Sequence, residues 1–224
     1  MARVLRSVAS LLFLIFLAAC MAPRVDIAGE MAAYGHATPC CTKLSEAKMQ
    51  ALQSNSQTEI TIDSHSQAFI FPSSGLSYFY LARLPDTNDL KLRLRSHIYT
   101  GNNDMRMFYP VVSYLDAQFQ VVKTLDPASA RYISPCTPGQ MGWNEEPSEE
   151  FTATVDAKNV RYLLIYTTPE LIKNGRSYEG ICPSTVVPVG GAYVGVGGGQ
   201  TEIHLKGSPV TFSNGITLAL SSAS

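Results

Sequence analysis

The sequence predicts an all-β fold: a single β-sandwich, jelly-roll-like, with a short N-terminal helix and one short helical turn. Ten segments between residues 58 and 220 are rich in Val, Ile, Tyr, Phe and Thr, and turn-forming residues separate most of them. Helical periodicity is confined to two short stretches. Many short strands with little helix are typical of a sandwich or barrel.

The strand prediction is clearest in residues 89–99, where Leu90, Leu92 and Leu94 alternate with basic residues. Such alternation indicates one core face and one wet face. Residues 160–167 are apolar at nearly every position, which predicts a central strand. The predicted strand segments are 58–63, 67–71, 76–84, 89–99, 107–116, 118–123, 150–155, 160–167, 201–206 and 209–220.

Two short helices interrupt the strand pattern. Leu44, Ala47, Ala51 and Leu52 recur at helical spacing, which predicts an amphipathic helix that Thr42 caps. Residues 168–175 predict one or two helical turns, because Thr suits the N-cap, Pro the first helical position and Gly the position after the end. Two further stretches, 134–150 and 183–200, predict long loops.

The N-terminus has the layout of a bacterial lipoprotein signal. Arg3 and Arg6 precede an apolar run at residues 11–17, and residues 17–20 read Leu-Ala-Ala-Cys, which resembles a lipobox. We expect a signal peptide at residues 1–19, a lipidated flexible tether at 20–38 that starts at Cys20, and a sandwich domain at 39–224. Met21, where Asp would favour the inner membrane, predicts anchoring at the outer membrane, facing the periplasm.

Composition restricts the partners. Removal of residues 1–19 takes away two of 17 basic residues and none of 18 acidic ones, so the mature net charge is 15 minus 18, or -3. This balance argues against nucleic acid, which needs a concentrated basic patch. The membrane, reached through the lipid, is the expected partner.

Four cysteines remain after Cys20 in an oxidising compartment, which favours disulfides. Cys136 and Cys182 lie beside prolines in turn-rich segments, so their bridge is the first choice. It leaves Cys40 and Cys41 to form a vicinal bridge or stay reduced. The two pairings that join Cys40 and Cys41 separately to Cys136 and Cys182 remain open.

The sequence predicts no enzyme, no cofactor and no metal site. It contains no G-x-S-x-G, neither phosphate-binding glycine motif and no C-x-x-C, and its four histidines are scattered. The acid pairs Glu145/Glu146 and Glu149/Glu150 nominally suit glycoside hydrolysis, but a polar, solvated loop would give neither carboxylate a distinct pKa.

Two sets of residues are candidates for binding. Lys91, Arg93, Arg95 and His97 share one strand face and would suit an anionic partner; the alternative is a solvated face balanced by acids on the next strand. The second set consists of aromatic side chains that could stack on sugar rings. The alternative interpretation of the Trp in this set is that it packs against the edge of the sandwich from its loop. The members of this set are Trp143, Tyr99 and Tyr109.

Several short motifs in residues 40–206 resemble the maltose-operon periplasmic protein family in order and spacing. They are Cys40-Cys41, Asp63-Ser64, Phe71-Pro72, Leu115-Asp116 and Tyr166-Thr167-Thr168. The resemblance implies a periplasm-facing protein linked to maltodextrin uptake, without established catalytic residues. The leading hypothesis is a non-enzymatic envelope lipoprotein that assists carbohydrate transport by binding a glycan or an envelope transport protein. The alternative is a structural or assembly lipoprotein that binds other envelope proteins.

Overall fold

The computed structural model describes residues 26–86, 89–101, 104–133, 148–155, 158–189, 192–212 and 215–222. In these ranges the chain is mostly β-structure, with two helices and two mixed sheets that pack against each other. The all-β sandwich predicted from the sequence is confirmed. Within the same ranges, no helix is long and apolar enough to cross a membrane.

Helix α1 comprises Ile27–Gly35 and helix α2 comprises Pro169–Asn174, while 3₁₀ turns occupy Leu44–Glu46 and Pro127–Ser129. The described strands are β1 (Gln50–Ala51), β2 (Ser56–Ile60), β3 (Ala68–Phe71), β4 (Gly75–Arg83), β5 (Leu90–Gly101), β6 (Asp104–Met107), β7 (Val111–Leu115), β8 (Val121–Thr124), β9 (Arg131–Ile133), β10 (Ser148–Val155), β11 (Tyr162–Tyr166), β12 (Arg176–Val189), β13 (Ala192–Gly207) and β14 (Ile216–Ser222).

The strands divide between a six-stranded and an eight-stranded sheet. The first has the order β1-β4-β11-β7-β8, and β3 also pairs with β4. The second has the order β12-β13-β6-β5-β10-β9, and β14 lies between β5 and β2. Strand β11 is central, between β4 and β7, as its two apolar faces predict.

Apolar side chains from the facing surfaces of the sheets form the main core. Strand β5 contributes Leu90, Leu92 and Leu94, all with 0% exposure, and β11 contributes Leu163 and Ile165 from the opposite sheet. Each such side chain stabilises the fold by about 1.5–3 kcal/mol. The predicted core face of residues 89–99 is therefore confirmed.

The six-stranded sheet is apolar on its outer face as well. Leu164 alternates with Leu163 and Ile165, and it joins Phe79 and Leu81 of β4 in a separate buried cluster. Ala47 and Leu44, from a segment ahead of the sheets, pack against this cluster. The outer face is therefore covered in part by the N-terminal segment of the domain.

Helix α2 has the ends that the sequence predicts. The Thr168 hydroxyl accepts a hydrogen bond from the Leu171 amide at 3.2 Å, and Pro169 occupies the first helical position. Gly175 ends the helix with φ at 61°, in the left-handed region that glycine adopts without steric cost. The predicted helical turn is confirmed.

The predicted helix at residues 44–52 is wrong. Only the Leu44–Glu46 3₁₀ turn forms, and the chain then extends into β1, which pairs in parallel with the end of β4. Ala47 and Leu52 are buried as predicted, but they join different clusters. The two residues are buried in different places, and their positions in the sequence happen to have the spacing of one helical face.

The predicted flexible tether contains helix α1. The Asp26 side chain caps this helix by accepting a hydrogen bond from the Gly29 amide at 3.1 Å. Tyr34 donates to the Leu76 carbonyl and contacts the Tyr78 ring edge-on, with 5.5 Å between ring centroids. Tyr34 therefore holds α1 on the domain, within the stretch that was predicted as a tether.

The second predicted loop, residues 183–200, is mainly strand. Strands β12 and β13 pair antiparallel from Arg176↔Leu205 to Val189↔Ala192. Glycine and proline, which normally weaken strands, lie within this hairpin and made its sequence resemble a loop.

Candidate functional site

A groove of 790 Å³ crosses the outer face of the six-stranded sheet. One wall belongs to residues 39–52, the N-terminal strap, and the other to the turn between β7 and β8. The floor consists of β3, β7 and β11 side chains. The lining includes Lys43, Ser45, Phe69, Phe71, Ser73, Ser113, Gln118, Phe119, Gln120 and Tyr166.

Aromatic rings form most of the groove floor. Phe71 stacks on Tyr166 with 4.2 Å between centroids and 21° between planes, and Phe69 meets Phe71 edge-on at 5.1 Å. Phe71 is buried, whereas Phe69 and Tyr166 keep part of their surface exposed. The partly exposed side chains of Phe69 and Tyr166 therefore give the groove an aromatic floor.

The β7–β8 turn holds Phe119 in an unusual conformation. Its φ is 62°, a region that non-glycine residues seldom adopt. The Asp116 carboxylate accepts hydrogen bonds from the Gln118 and Gln120 amides at 2.8 and 2.9 Å, which fixes the turn around Phe119. The Phe119 ring stacks on Tyr162 at 4.3 Å and 10°. Such local strain is concentrated at functional sites in proteins.

The N-terminal strap is held at both ends. The Cys40 amide donates to the Ala68 carbonyl at 2.9 Å, and Gln67 exchanges hydrogen bonds of 2.6 and 2.8 Å with the backbone of Lys48. Between these points the Glu46 carboxylate accepts from the amides of Thr42 and Lys43 at 3.0 and 3.3 Å. These backbone hydrogen bonds, led by that of Thr42, lower the pKa of Glu46.

Adjacent residues Cys40 and Cys41 form a disulfide at the start of the strap. Cys41 packs against the aromatic cluster under the groove. This bridge is incompatible with the two pairings that use Cys40 and Cys41 separately. The Cys136–Cys182 bridge remains a prediction, because Cys136 and the side chain of Cys182 lie outside what the structure describes.

The polar groups of the groove are almost all neutral. Amides of Gln118 and Gln120 and hydroxyls of Ser45 and Ser73 line it, and Lys43 is the one charged side chain among the described lining residues. Ser113 is buried and its hydroxyl shares a 2.9 Å hydrogen bond with that of Thr124. The described lining includes neither histidine nor carboxylate.

Two of the predicted sugar-stacking residues, Tyr99 and Tyr109, are not among the described residues that line this groove. Tyr109 is 1% exposed, and its hydroxyl donates to the Leu205 carbonyl at 2.9 Å while the Arg176 guanidinium lies 5.2 Å from its ring centre. Burial leaves Tyr109 no ring face for a sugar, which corrects that prediction. Tyr99 is half-buried and stacks on Phe212 at 5.0 Å. Trp143, like Cys20, lies outside the described residues.

The predicted basic stripe lies on the outer face of the eight-stranded sheet. Arg93 and Arg95 both contact one carboxylate oxygen of Glu150, at 2.7 and 2.9 Å. The Nε2 atom of His97 lies 3.0 Å from the Thr217 hydroxyl oxygen, and Lys91 is exposed. An acid on the neighbouring strand thus offsets part of the positive charge.

Glu149 departs from the solvated loop expected for it. It is the second residue of β10 and is 1% exposed on the inner face of the sheet. Its Oε1 accepts hydrogen bonds from Arg176 at 2.9 Å and from the Tyr178 hydroxyl at 3.0 Å. Burial raises the pKa of Glu149 although Arg176 and Tyr178 act in the opposite direction.

Sequence reasoning missed the groove because its parts come from four distant segments. Residues 43–45, 69–73, 113–121 and 164–166 meet only after the sheet has formed. One signal was available: the Phe-Ile-Phe-Pro and Leu-Asp motifs that carry the family resemblance include Phe69, Phe71 and Asp116. Among the described residues, no group of three or more His, Cys, Asp or Glu is arranged to hold a metal ion.

The fold and the groove define a class of protein: an all-β sandwich with an aromatic-lined groove on the outer face of one sheet. Within this class, the family model described as "Maltose operon periplasmic protein precursor (MalM)" matches residues 74–176. The match covers just under half of the chain, from β4 to the first residue of β12. It confirms the family resemblance and indicates a periplasmic protein associated with the maltose system. No curated protein and no solved structure matches the chain.

Proposed function

We propose that the chain is a non-enzymatic cell-envelope lipoprotein that assists maltodextrin transport by binding glucan chains in the groove. The observation that carries the proposal is the aromatic floor on the outer face of the six-stranded sheet, beside neutral amides and hydroxyls. The family match supplies the maltose association. Cys20 supplies the proposed anchor, which holds the domain at the periplasmic side of the outer membrane.

The chemistry of the groove suits a neutral sugar chain. One face of a glucose ring carries mostly C–H groups, which pack well on an aromatic face, while its rim of hydroxyls needs hydrogen-bond partners. Phe69, Phe119 and Tyr166 offer partly exposed rings, and Gln118 and Gln120 offer amides beside them. The volume of 790 Å³ lies within the range of roughly 300–1,000 Å³ that is usual for ligand sites.

The proposal is tested by isothermal titration of the soluble chain, residues 21–224, with maltodextrins of increasing length. We expect binding, and we expect Phe119→Ala to weaken it roughly tenfold, because the variant removes an aromatic contact and little of the fold. Tyr166→Ala should weaken it at least as much. Circular dichroism melting of each variant checks that the sandwich still forms.

Tyr99→Ala is the matched control, because its ring stacks on Phe212 and is not among the described groove residues. Unchanged affinity is expected in this variant, and Trp143→Ala tests the alternative site. Loss of binding in Trp143→Ala with full binding in Phe119→Ala would move the sugar site to the loop that contains Trp143. Absence of heat at millimolar sugar in the unmodified chain would overturn glycan binding altogether.

A further inference from the structure

The outer face of the eight-stranded sheet carries long basic side chains among short ones. Lys91, Arg93 and Arg95 project from β5 at every second residue. Directly opposite residues on paired strands share a face, so the neighbours of this stripe follow from the register. Five of the six are small, namely Thr152 and Thr154 in β10 and Thr217, Ala219 and Ser221 in β14, and the sixth is Glu150, opposite Arg95. Lys91 and Arg93 therefore stand above short side chains, whereas the Arg95 side chain is 19% exposed and pairs with Glu150.

Positive charge exceeds negative charge on this part of the face. Arg131 of β9 lies opposite Glu150 and is exposed, which adds a fourth basic residue to Lys91, Arg93 and Arg95. The acids that the register places there are Glu150 and Glu59, the latter opposite Thr217 of β14. Four positive minus two negative charges leave +2 on a chain whose total is -1. Arg93 is 56% exposed despite its contact with Glu150.

The N-terminal connection brings the proposed anchor close to this sheet. The Glu30 carboxylate in α1 accepts hydrogen bonds from the amide and hydroxyl of Ser64, at 3.0 and 3.2 Å, four residues beyond the end of β2. Strand β2 is separated from β5 by β14 alone, so the two lie about 10 Å apart. Cys20 precedes Asp26 by six residues, a stretch that spans roughly 20 Å at most.

We infer that this basic face lies against the phosphate-bearing headgroups of an anionic bilayer, with Lys91, Arg93 and Arg95 as its contacts. A flat, positively charged surface complements a planar negative one, and a lipid on Cys20 would keep the domain within reach of it. The inference rests on the anchor proposed for Cys20 and is independent of glucan binding. It leaves the groove, on the other sheet, open to ligand from the periplasm.

The soluble chain, residues 21–224, tests the face without the lipid. We expect it to sediment with vesicles that contain phosphatidylglycerol and not with vesicles of phosphatidylcholine alone. Each basic residue near an anionic surface contributes about 1 kcal/mol, so Arg93→Ser/Arg95→Ser should lower the partition coefficient roughly 30-fold. Lys91→Glu should also weaken binding without removing a partner of Glu150. Salt of about 0.5 M should abolish binding, because it screens such contacts.

Arg83→Ser/Lys123→Ser is the matched control, since it removes the same charge from exposed positions on the six-stranded sheet. Its vesicle binding should equal that of the unmodified chain. The inference would be overturned if both double variants lost vesicle binding equally, or if the chain bound phosphatidylcholine vesicles as well as vesicles with phosphatidylglycerol. Glucan titration of Arg93→Ser/Arg95→Ser separates the two proposals, because the groove should bind normally in this variant.

Discussion

Glu149 and Glu150 are consecutive residues with opposite electrostatic environments. Strand alternation turns Glu149 inward, where burial raises its pKa against the effect of Arg176. Glu150 faces outward; its partial burial favours a higher pKa, but hydrogen bonds from Arg95 and Arg93, with their charges, outweigh burial and lower it. One residue step thus reverses the sign of the pKa shift.

These shifts predict opposite pH dependence in two substitutions. The pKa of Glu149 is higher in the folded than in the unfolded state, so the folded protein loses stability as pH rises and Glu149 gives up its proton. Glutamine cannot titrate. The stability of Glu149→Gln relative to the unmodified chain should therefore increase as pH rises from about 4 to neutral. Glu150→Gln should be less stable than the unmodified chain by up to about 1 kcal/mol at neutral pH, and this difference should shrink as pH falls. Urea unfolding at several pH values measures the stability of both variants. If the relative stability of the two variants changed with pH in the same direction, the opposite environments assigned to Glu149 and Glu150 would be wrong.

Two of the residue predictions show what sequence can and cannot supply. The alternation of Leu90, Leu92 and Leu94 was readable, because the same period fixes both the sequence and the strand face. The burial of Tyr109 and Glu149 could not be predicted from the sequence. It depends on contacts with Arg176 and Tyr178, which belong to β12, a strand distant in the sequence. Long-range packing decides which polar side chains are enclosed.

At the scale of elements, α2 and β13 approach each other closely. A Cβ atom on Gly207, at the end of β13, would lie 2.1 Å from the Leu171 carbonyl oxygen and 2.5 Å from Cα of Ile172. Both atoms belong to the α2 backbone, so they cannot move aside as a flexible side chain would. Only glycine fits at this contact.

Gly207→Ala should therefore destabilise the fold by about 1–3 kcal/mol, the usual cost of overpacking. Gly35→Ala is the matched control, because nothing lies within 4 Å of a Cβ built at this end of α1. It should be neutral or stabilise by up to about 1 kcal/mol, since alanine restricts the unfolded chain. Chemical denaturation of both variants measures the difference. A Gly207→Ala variant as stable as the original chain would contradict the close approach.

Elements with local signals were predictable, whereas elements defined by their neighbours were not. Thr168, Pro169 and Gly175 specify both ends of α2 within eight residues, and the helix forms where they place it. The strap differs: the carbonyls of Ala68 and Arg83 and the side-chain amide of Gln67 hold it extended, although its own spacing suggests a helix. Tertiary hydrogen bonds override local periodicity here.

On the scale of the whole molecule, the placement of α1 changes how the domain would be held. The tether expected from the sequence ran to residue 38, but contacts of Glu30 and Tyr34 fix the chain on the domain well before that point. Only residues 21–25 separate Cys20 from the described part of the chain. A lipid there would restrict both the distance and the orientation of the domain.

Cys20→Ser tests this anchor directly. Because only a thiol can accept the diacylglyceryl group, the variant should lose lipid incorporation and shift from the membrane fraction to the soluble periplasmic fraction. A labelled fatty acid supplied to growing cells, followed by fractionation, measures both effects. Cys40→Ser/Cys41→Ser should keep the label, since those cysteines pair with each other. Membrane retention of Cys20→Ser in high salt would contradict lipid anchoring.

The groove also has a consequence for diversity among related chains. Its β7–β8 wall and its β11 floor lie within the matched residues 74–176, whereas the strap wall and the β3 part of the floor precede them. Two chains that match the family model could therefore share the half of the groove that lies in the matched residues and differ in the half contributed by the strap. Under the proposed glucan binding, exchange of residues 39–73 between such chains should transfer ligand preference, which titration with maltodextrins of different lengths measures.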